Sequence, residues 1–229
     1  MRKVPVTPLV LVLLAVVCST ARLSPALAAD SERAERWQFQ IPITFTSSET
    51  FDGEADSFLE VSDDVGWGFG FGYHANERLY VGFDLTFIQA SYDASVEFDL
   101  DNDMVSDGTV TLGGTLDASA AQFAGQYNFL DNTITPFVRG NFGWTYIDSN
   151  IPSGPTEGVC WWDPWWGYVC DTWQPTYDDT SFSYGLGVGV RADVSQSFFL
   201  DLSYNQFWID LSESTPSFNG VRLNFGWMF

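Results

Sequence analysis

The sequence predicts an all-β fold, an eight-stranded antiparallel up-and-down β-barrel that crosses a membrane and carries long acidic extracellular loops. Three observations support this prediction. Apolar and polar residues alternate with period two in several segments, the gaps between those segments are alternately short and long, and the apolar faces are aromatic at their ends. Short turns at one end and long loops at the other are typical of transmembrane barrels.

The C-terminal segment, residues 221–229, shows the alternation most clearly. Its apolar face consists of Val221, Leu223, Phe225, Trp227 and Phe229. Alternation over this length indicates a strand with one apolar and one polar face.

Seven further segments repeat the pattern, which gives eight strands. Their apolar faces lie within residues 37–45, 67–73, 79–87, 121–127, 138–146, 184–190 and 200–208. A soluble sandwich also alternates, but these apolar faces end in aromatic residues, as the girdles at a membrane interface do. Pro42 lacks a backbone N–H, so we expect a bulge in the first strand.

The N-terminus predicts export. Arg2 and Lys3 precede an apolar run at residues 9–18, and the small residues Ala26 and Ala28 form a cleavage site. This arrangement is typical of a secretory signal peptide, and the apolar run is too short to span a bilayer. Residues 1–28 are therefore expected to be a signal peptide and residues 29–229 the barrel domain. A lipoprotein anchor at Cys18 is the alternative.

The charge balance excludes nucleic acid as a partner. The formal net charge is −21, and without residues 1–28 the chain keeps all 30 acidic residues, six arginines and no lysine. Such a chain cannot neutralise a phosphate backbone. Two cysteines remain in the exported chain, an even number that favours one disulfide.

The signal peptide, the eight strands and the terminal Phe229 resemble the small eight-stranded outer-membrane proteins. This superfamily includes the transmembrane domain of outer membrane protein A and the outer membrane protein W family. The resemblance implies the outer membrane of a Gram-negative bacterium, contact with its lipid and lipopolysaccharide, and both termini in the periplasm. It also implies that the barrel assembly machinery reads the C-terminal aromatics Phe225, Trp227 and Phe229.

The strand parity predicts a charged lumen. The inward-facing charges are Asp84, Arg139, Arg191, Asp201 and Arg222. Buried charges persist only when they are paired, so we expect a cross-strand pair between Arg191 and Asp201. We also expect Arg139 to meet Asp84 across the lumen. Two interpretations are open, a structural ion-pair core and a charged constriction in a narrow channel.

Enzyme chemistry and cofactors are not expected. The single histidine, His74, falls in the first short turn and is predicted to be solvated at the periplasmic side, so no catalytic triad can form at the outer rim. Asp99, Asp101, Asp103 and Asp107 are spaced like calcium ligands, but the glycine and the closing glutamate of a calcium loop are missing. The alternatives are a solvated acidic surface and weak binding of divalent cations that bridge lipopolysaccharide.

The third long loop contains the segment CWWDPWWGYVC, residues 160–170. We expect a disulfide between Cys160 and Cys170 and a turn at Asp163 and Pro164. The loop aromatics are Trp161, Trp162, Trp165, Trp166, Tyr168 and Trp173. They could form a lid over the barrel mouth, enter the outer-leaflet interface, or bind an extracellular glycan or protein.

The function predicted from the sequence is that of a non-enzymatic integral outer-membrane protein in envelope integrity or surface interaction. The alternative is a narrow channel for small ions or hydrophobic solutes.

Overall fold

The structure, a computed structural model, describes residues 32–52, 58–98, 108–152, 157–173, 176–211 and 215–229. The predicted signal peptide lies outside these residues, as do the aspartates at 99–107. The strands of the described part are β1 (Trp37–Thr46), β2 (Glu49–Asp52), β3 (Phe58–Val61), β4 (Asp64–His74), β5 (Leu79–Phe98), β6 (Gly108–Asn128), β7 (Ile134–Pro152), β8 (Glu157–Asp163), β9 (Gly167–Trp173), β10 (Thr176–Asp193), β11 (Phe198–Asp210) and β12 (Ser217–Met228). In these six ranges, no helix is long and apolar enough to cross a membrane.

Eight of the strands close into an antiparallel barrel, which confirms the predicted fold class. The order around the barrel is β1, β4, β5, β6, β7, β10, β11 and β12, and β12 pairs back onto β1. Closure leaves none of the eight strands with an unpaired edge. The end with the short connections, 75–78, 129–133 and 194–197, is called the inner end below, and the opposite end the outer end.

The bulge expected at Pro42 is absent. The β1–β12 register is continuous, with Pro42 opposite Asn224. On the other side of β1, the pairing with β4 omits residues 41 and 42 and resumes at Ile43 in the same register. The missing N–H therefore interrupts one ladder locally, and no residue is inserted.

The two faces of the barrel wall have opposite polarity. The outward face is apolar, and it carries rings that contact each other near both ends, such as Trp37 with Phe71 at the inner end and Trp67 with Phe87 at the outer end. The inward face is mostly polar or glycine, with a few buried rings such as Tyr80, Phe137 and Phe199. Gln38, Gln40, Gln122, Gln126 and Asn224 are all buried there. A soluble protein buries its apolar side chains, whereas here the apolar side chains face outward and the polar ones line the lumen. A barrel in a bilayer requires this arrangement because its outer surface contacts lipid.

Four neighbouring strands are much longer than a membrane needs. β5, β6, β7 and β10 contain 20, 21, 19 and 18 residues, whereas about 9–11 residues suffice for a tilted transmembrane strand. Together they form a wall that rises beyond the outer end. The short β2–β3 hairpin joins this wall through pairing of β3 with β5, and β8 and β9 form a separate two-stranded sheet.

Candidate functional site

The middle of the lumen holds one carboxylate between two guanidinium groups. Asp84 Oδ2 accepts hydrogen bonds from Arg139 Nη2 at 2.5 Å and from Arg222 Nη2 at 2.9 Å. Its other oxygen accepts one from Gln40 Nε2 at 2.9 Å. Asp84 and Arg139 lie on β5 and β7, which are not adjacent, so the contact crosses the lumen. All three charged side chains are buried or nearly so.

A second charged group lies nearer the inner end. Arg191 and Asp201 are register partners on β10 and β11, but their closest charged atoms are 4.0 Å apart. The closer partner of Arg191 is Asp193, which accepts a hydrogen bond from Nε at 2.8 Å. The guanidinium also lies 3.7 Å from the centre of the buried Phe199 ring. Asp201 is opposite Arg191 as the parity predicts, and Asp193, two residues after Arg191 on β10, has the same inward parity, which was the signal in the sequence for this partner.

His74 is buried, and the prediction that it is a solvated turn residue is wrong. It is the last residue of β4, and its inward parity continues that of the glycines in this strand. Its Nε2 lies 2.8 Å from Gln38 Oε1, and its ring packs beside Tyr80. The alternation of residues 64–72 therefore continues to the end of β4 at His74.

The lead-in before β1 closes the inner end. Arg33, which the sequence did not single out, is fully buried. It donates hydrogen bonds from Nη2 to the backbone oxygens of Leu130 at 3.0 Å and Asn132 at 3.1 Å. Its Nε lies 3.5 Å from Asp193 Oδ2. One arginine thus connects the N-terminal segment, the second short turn and the charged group around Arg191.

An apolar cluster lies around the β2–β3 hairpin at the outer end. The buried residues are Val61, Ala90 and Tyr92. Packed against them are Phe51, Leu59, Ala94, Leu116 and Phe218. The cluster therefore joins the first long loop to the barrel strands beside it, and none of the residues named here comes from the tryptophan-rich third loop.

The tryptophan-rich segment forms a disulfide-closed hairpin, β8–β9. Cys160 and Cys170 are directly opposed and bonded to each other, which confirms the predicted disulfide. Three residues connect the strands, and Gly167 follows with φ of 78°, the left-handed conformation that ends such a turn and that glycine adopts without strain. Asp163 Oδ1 accepts hydrogen bonds from the backbone N–H groups of Trp165 at 2.8 Å and Trp166 at 3.0 Å.

The hairpin exposes its aromatic side chains. Trp162, Trp165 and Trp166 are 70%, 88% and 83% exposed. Trp161 and Tyr168 are also exposed, and Trp173 ends β9 opposite Glu157. The described rings of the hairpin are therefore largely exposed to solvent, which does not favour a packed lid.

The C-terminal aromatics lie on the outward face at the inner end. Trp227 and Phe229 are both exposed, and Phe225 is the register partner of Ile41 on β1. The backbone N–H and C=O of Phe229 both bond to Trp37, at 3.0 Å each, so the C-terminus completes the closure of the barrel.

The inner-end turns carry one exposed ion pair. Arg78 Nε and Nη2 donate to the two carboxylate oxygens of Asp131 at 2.7 and 2.8 Å. The Arg78 guanidinium holds the pKa of Asp131 below its usual range. This pair lies outside the lumen and provides a comparison for the buried charges.

A closed barrel with a polar interior, an apolar exterior and aromatic girdles defines the chain as a transmembrane β-barrel protein of the Gram-negative outer membrane. Residues 10–229 match the model of the outer membrane protein beta-barrel domain family, and the chain belongs to that family. The predicted relationship to small outer-membrane barrels is thereby confirmed.

Solved structures of small outer-membrane barrels are similar in fold. Neisserial surface protein A is 12% identical, with a TM-score of 0.52, and the alignment covers 84% of this chain and 95% of that one. OprG from Pseudomonas aeruginosa is 11% identical, with a TM-score of 0.49 and coverage of 87% and 98%. Ail of Yersinia pestis, solved with the heparin analogue sucrose octasulfate, is 12% identical, with a TM-score of 0.45 and coverage of 86% and 99%. No curated protein matches.

Proposed function

We propose that this chain is a non-enzymatic outer-membrane protein that acts in surface interaction or envelope integrity through its extracellular hairpin. The observation that carries the proposal is the exposure of Trp162, Trp165 and Trp166 on a disulfide-closed hairpin. Exposed indoles are unfavourable in water unless they contact something else, and Trp and Tyr dominate binding hot spots. A disulfide that holds such rings in place reduces the entropy lost on binding.

The lumen supports a structural role for the buried charges. The Asp84 group lies in the middle, the Arg33 and Arg191 group at the inner end, and the apolar cluster at the outer end. An eight-stranded barrel has room for side chains but for little else. We infer that these side chains form the core of the protein.

Planar-bilayer conductance of the refolded mature protein, beside an Arg139→Ala variant, tests the proposal. We expect neither protein to give reproducible conductance steps. The competing function is a narrow channel, which the polar lining of the lumen favours. Reproducible steps that change in the Arg139→Ala variant would place the function in the lumen and overturn the proposal.

A further inference from the structure

Positive charge is confined to one end and to the interior of the mature barrel. Arg33, Arg36 and Arg78 lie at the inner end, and Arg139, Arg191 and Arg222 line the lumen. The four outer segments, residues 46–64, 88–118, 145–183 and 207–219, contain no Lys, Arg or His, and they hold 22 of the 30 acidic residues. The extracellular side therefore presents carboxylates with no basic side chain of the chain itself to neutralise them.

The strand register places several of these carboxylates directly opposite one another. Asp148 on β7 is opposite Asp117 on β6 and opposite Asp178 on β10, and all three side chains are exposed. Glu60 on β3 is opposite Asp93 on β5 in the same way. Like charges at opposed positions destabilise a sheet, so an external cation bound there would relieve repulsion that the free protein retains.

The tryptophan hairpin is inserted between the same strands. It connects β7, which carries Asp148, to β10, which carries Asp178. Exposed indoles attract cations through the ring face, and indole is the best of the three aromatic side chains for this contact. Aromatic and acidic groups on one extracellular surface thus favour a cationic partner, and they repel polyanions such as sulfated glycans.

We propose that the hairpin and the opposed carboxylates of β6, β7 and β10 form a docking surface for an arginine-rich segment of another protein. The proposal rests on the function proposed above and specifies its partner class. Arginine fits better than lysine because its planar guanidinium stacks on an indole and donates two hydrogen bonds to a carboxylate at once. Complementary charge also speeds association and makes it sensitive to salt.

The test uses the refolded mature protein in nanodiscs of phosphatidylcholine, and measures binding of nona-arginine, nona-lysine and an uncharged peptide of equal length. We expect nona-arginine to bind tighter than nona-lysine, the uncharged peptide not to bind, and affinity to fall as salt rises. The Trp165→Ala/Trp166→Ala variant should lose about four- to twenty-five-fold in affinity for nona-arginine, because each exposed indole contributes about two- to five-fold. The Asp148→Asn/Asp178→Asn variant should also bind more weakly.

Matched controls are Phe129→Ala and Asp131→Asn, an exposed aromatic and an exposed carboxylate at the inner end, which should leave binding unchanged. Equal affinity for both cationic peptides, or binding unaffected by the tryptophan variant, would overturn the proposal. Trp-dependent binding of a neutral oligosaccharide or of phosphatidylcholine vesicles, without binding of nona-arginine, would also overturn it but would leave a surface function in place. Reproducible conductance steps in the planar-bilayer experiment described above would instead contradict the proposed surface function itself.

Discussion

Asp84 is the residue on which the buried charge balance of the lumen depends. It accepts hydrogen bonds from both Arg139 and Arg222, so Asp84→Asn would leave two buried guanidinium groups without their counter-charge. Loss of one partner from a buried ion pair costs about 3–5 kcal/mol. We expect the free energy of unfolding to fall by about that amount, measured by urea titration of the refolded protein in micelles.

The control for this variant is Asp131→Asn, which removes the exposed partner of Arg78. Exposed ion pairs contribute little because solvent screens them, so we expect its unfolding midpoint to stay close to that of the parent. Equal loss of stability in the two variants would contradict a special role for the lumen triad.

Gly226 makes room for the aromatic ring on which Arg191 stacks. A Cβ at this position would lie inside van der Waals contact with ring atoms of Phe199. Gly226→Ala should therefore displace the ring and destabilise the barrel by about 1–3 kcal/mol, the usual cost of overpacking. The same urea titration measures this. Gly125→Ala, where an added Cβ meets nothing within 4 Å, should not weaken the barrel.

The odd or even position of a residue in its strand predicted the direction of most side chains. A strand with one lipid face and one lumen face cannot shift by one residue without turning every side chain to the wrong face. Parity placed Asp84, Arg139 and Arg222 inside, where the structure finds them. Parity also gives His74 its inward direction, but the strand end was placed too early, because the last residue of a strand is indistinguishable from a turn residue in sequence alone. Arg33 could not be predicted either, since its partners at 130, 132 and 193 are brought to it only by the closed fold.

At the scale of elements, the disulfide serves the hairpin and not the barrel. Among the strands that the structure describes, β8 and β9 pair only with each other, and a two-stranded sheet is marginally stable alone. Closing a loop this short contributes on the order of 3 kcal/mol. In the Cys160→Ser/Cys170→Ser variant we expect faster chymotrypsin cleavage within residues 157–173 and an unchanged unfolding midpoint of the barrel.

The parent protein treated with reductant should reproduce the cleavage of the double-serine variant, while the variant itself should not respond to reductant. A lower unfolding midpoint of the barrel in the variant would show that the hairpin stabilises the wall formed by β5, β6, β7 and β10. This result would contradict the expectation that the disulfide stabilises the hairpin alone.

The short strands of the first long loop were not predictable from pattern. β2 and β3 contain four residues each, too few for a convincing alternation, and the acidic residues around them indicate a loop. Phe51 and Val61 join the apolar cluster around Tyr92 only when β3 pairs with β5. The tryptophan segment, by contrast, is conspicuous in sequence, and that composition suggested a lid although its rings are exposed.

At the scale of the whole molecule, stability and interaction occupy separate parts. The lumen holds most of the buried charge, the outward face meets lipid, and the exposed indoles of the outer end lie in a sheet that shares no ladder with the barrel. Such a division allows the outer loops to change without loss of the fold, as loops on a rigid scaffold commonly do.

Replacement of residues 157–173 by a flexible Gly-Ser linker tests this separation directly. We expect the variant to refold with the same unfolding midpoint, because the barrel register from β7 to β10 is formed without the hairpin.

Tryptophan fluorescence gives a second measurement on the same variant. Five of the ten tryptophans are removed with the hairpin, and tryptophans that remain, such as Trp37, Trp67 and Trp144, lie on the lipid-facing wall. The residual fluorescence should therefore be quenched by brominated lipid and resist iodide, whereas the parent should show a large iodide-sensitive fraction. If the variant instead failed to refold, or if its fluorescence stayed as sensitive to iodide as that of the parent, the hairpin would be part of the barrel's own stability, and the exposed indoles could not be assigned to a separate surface.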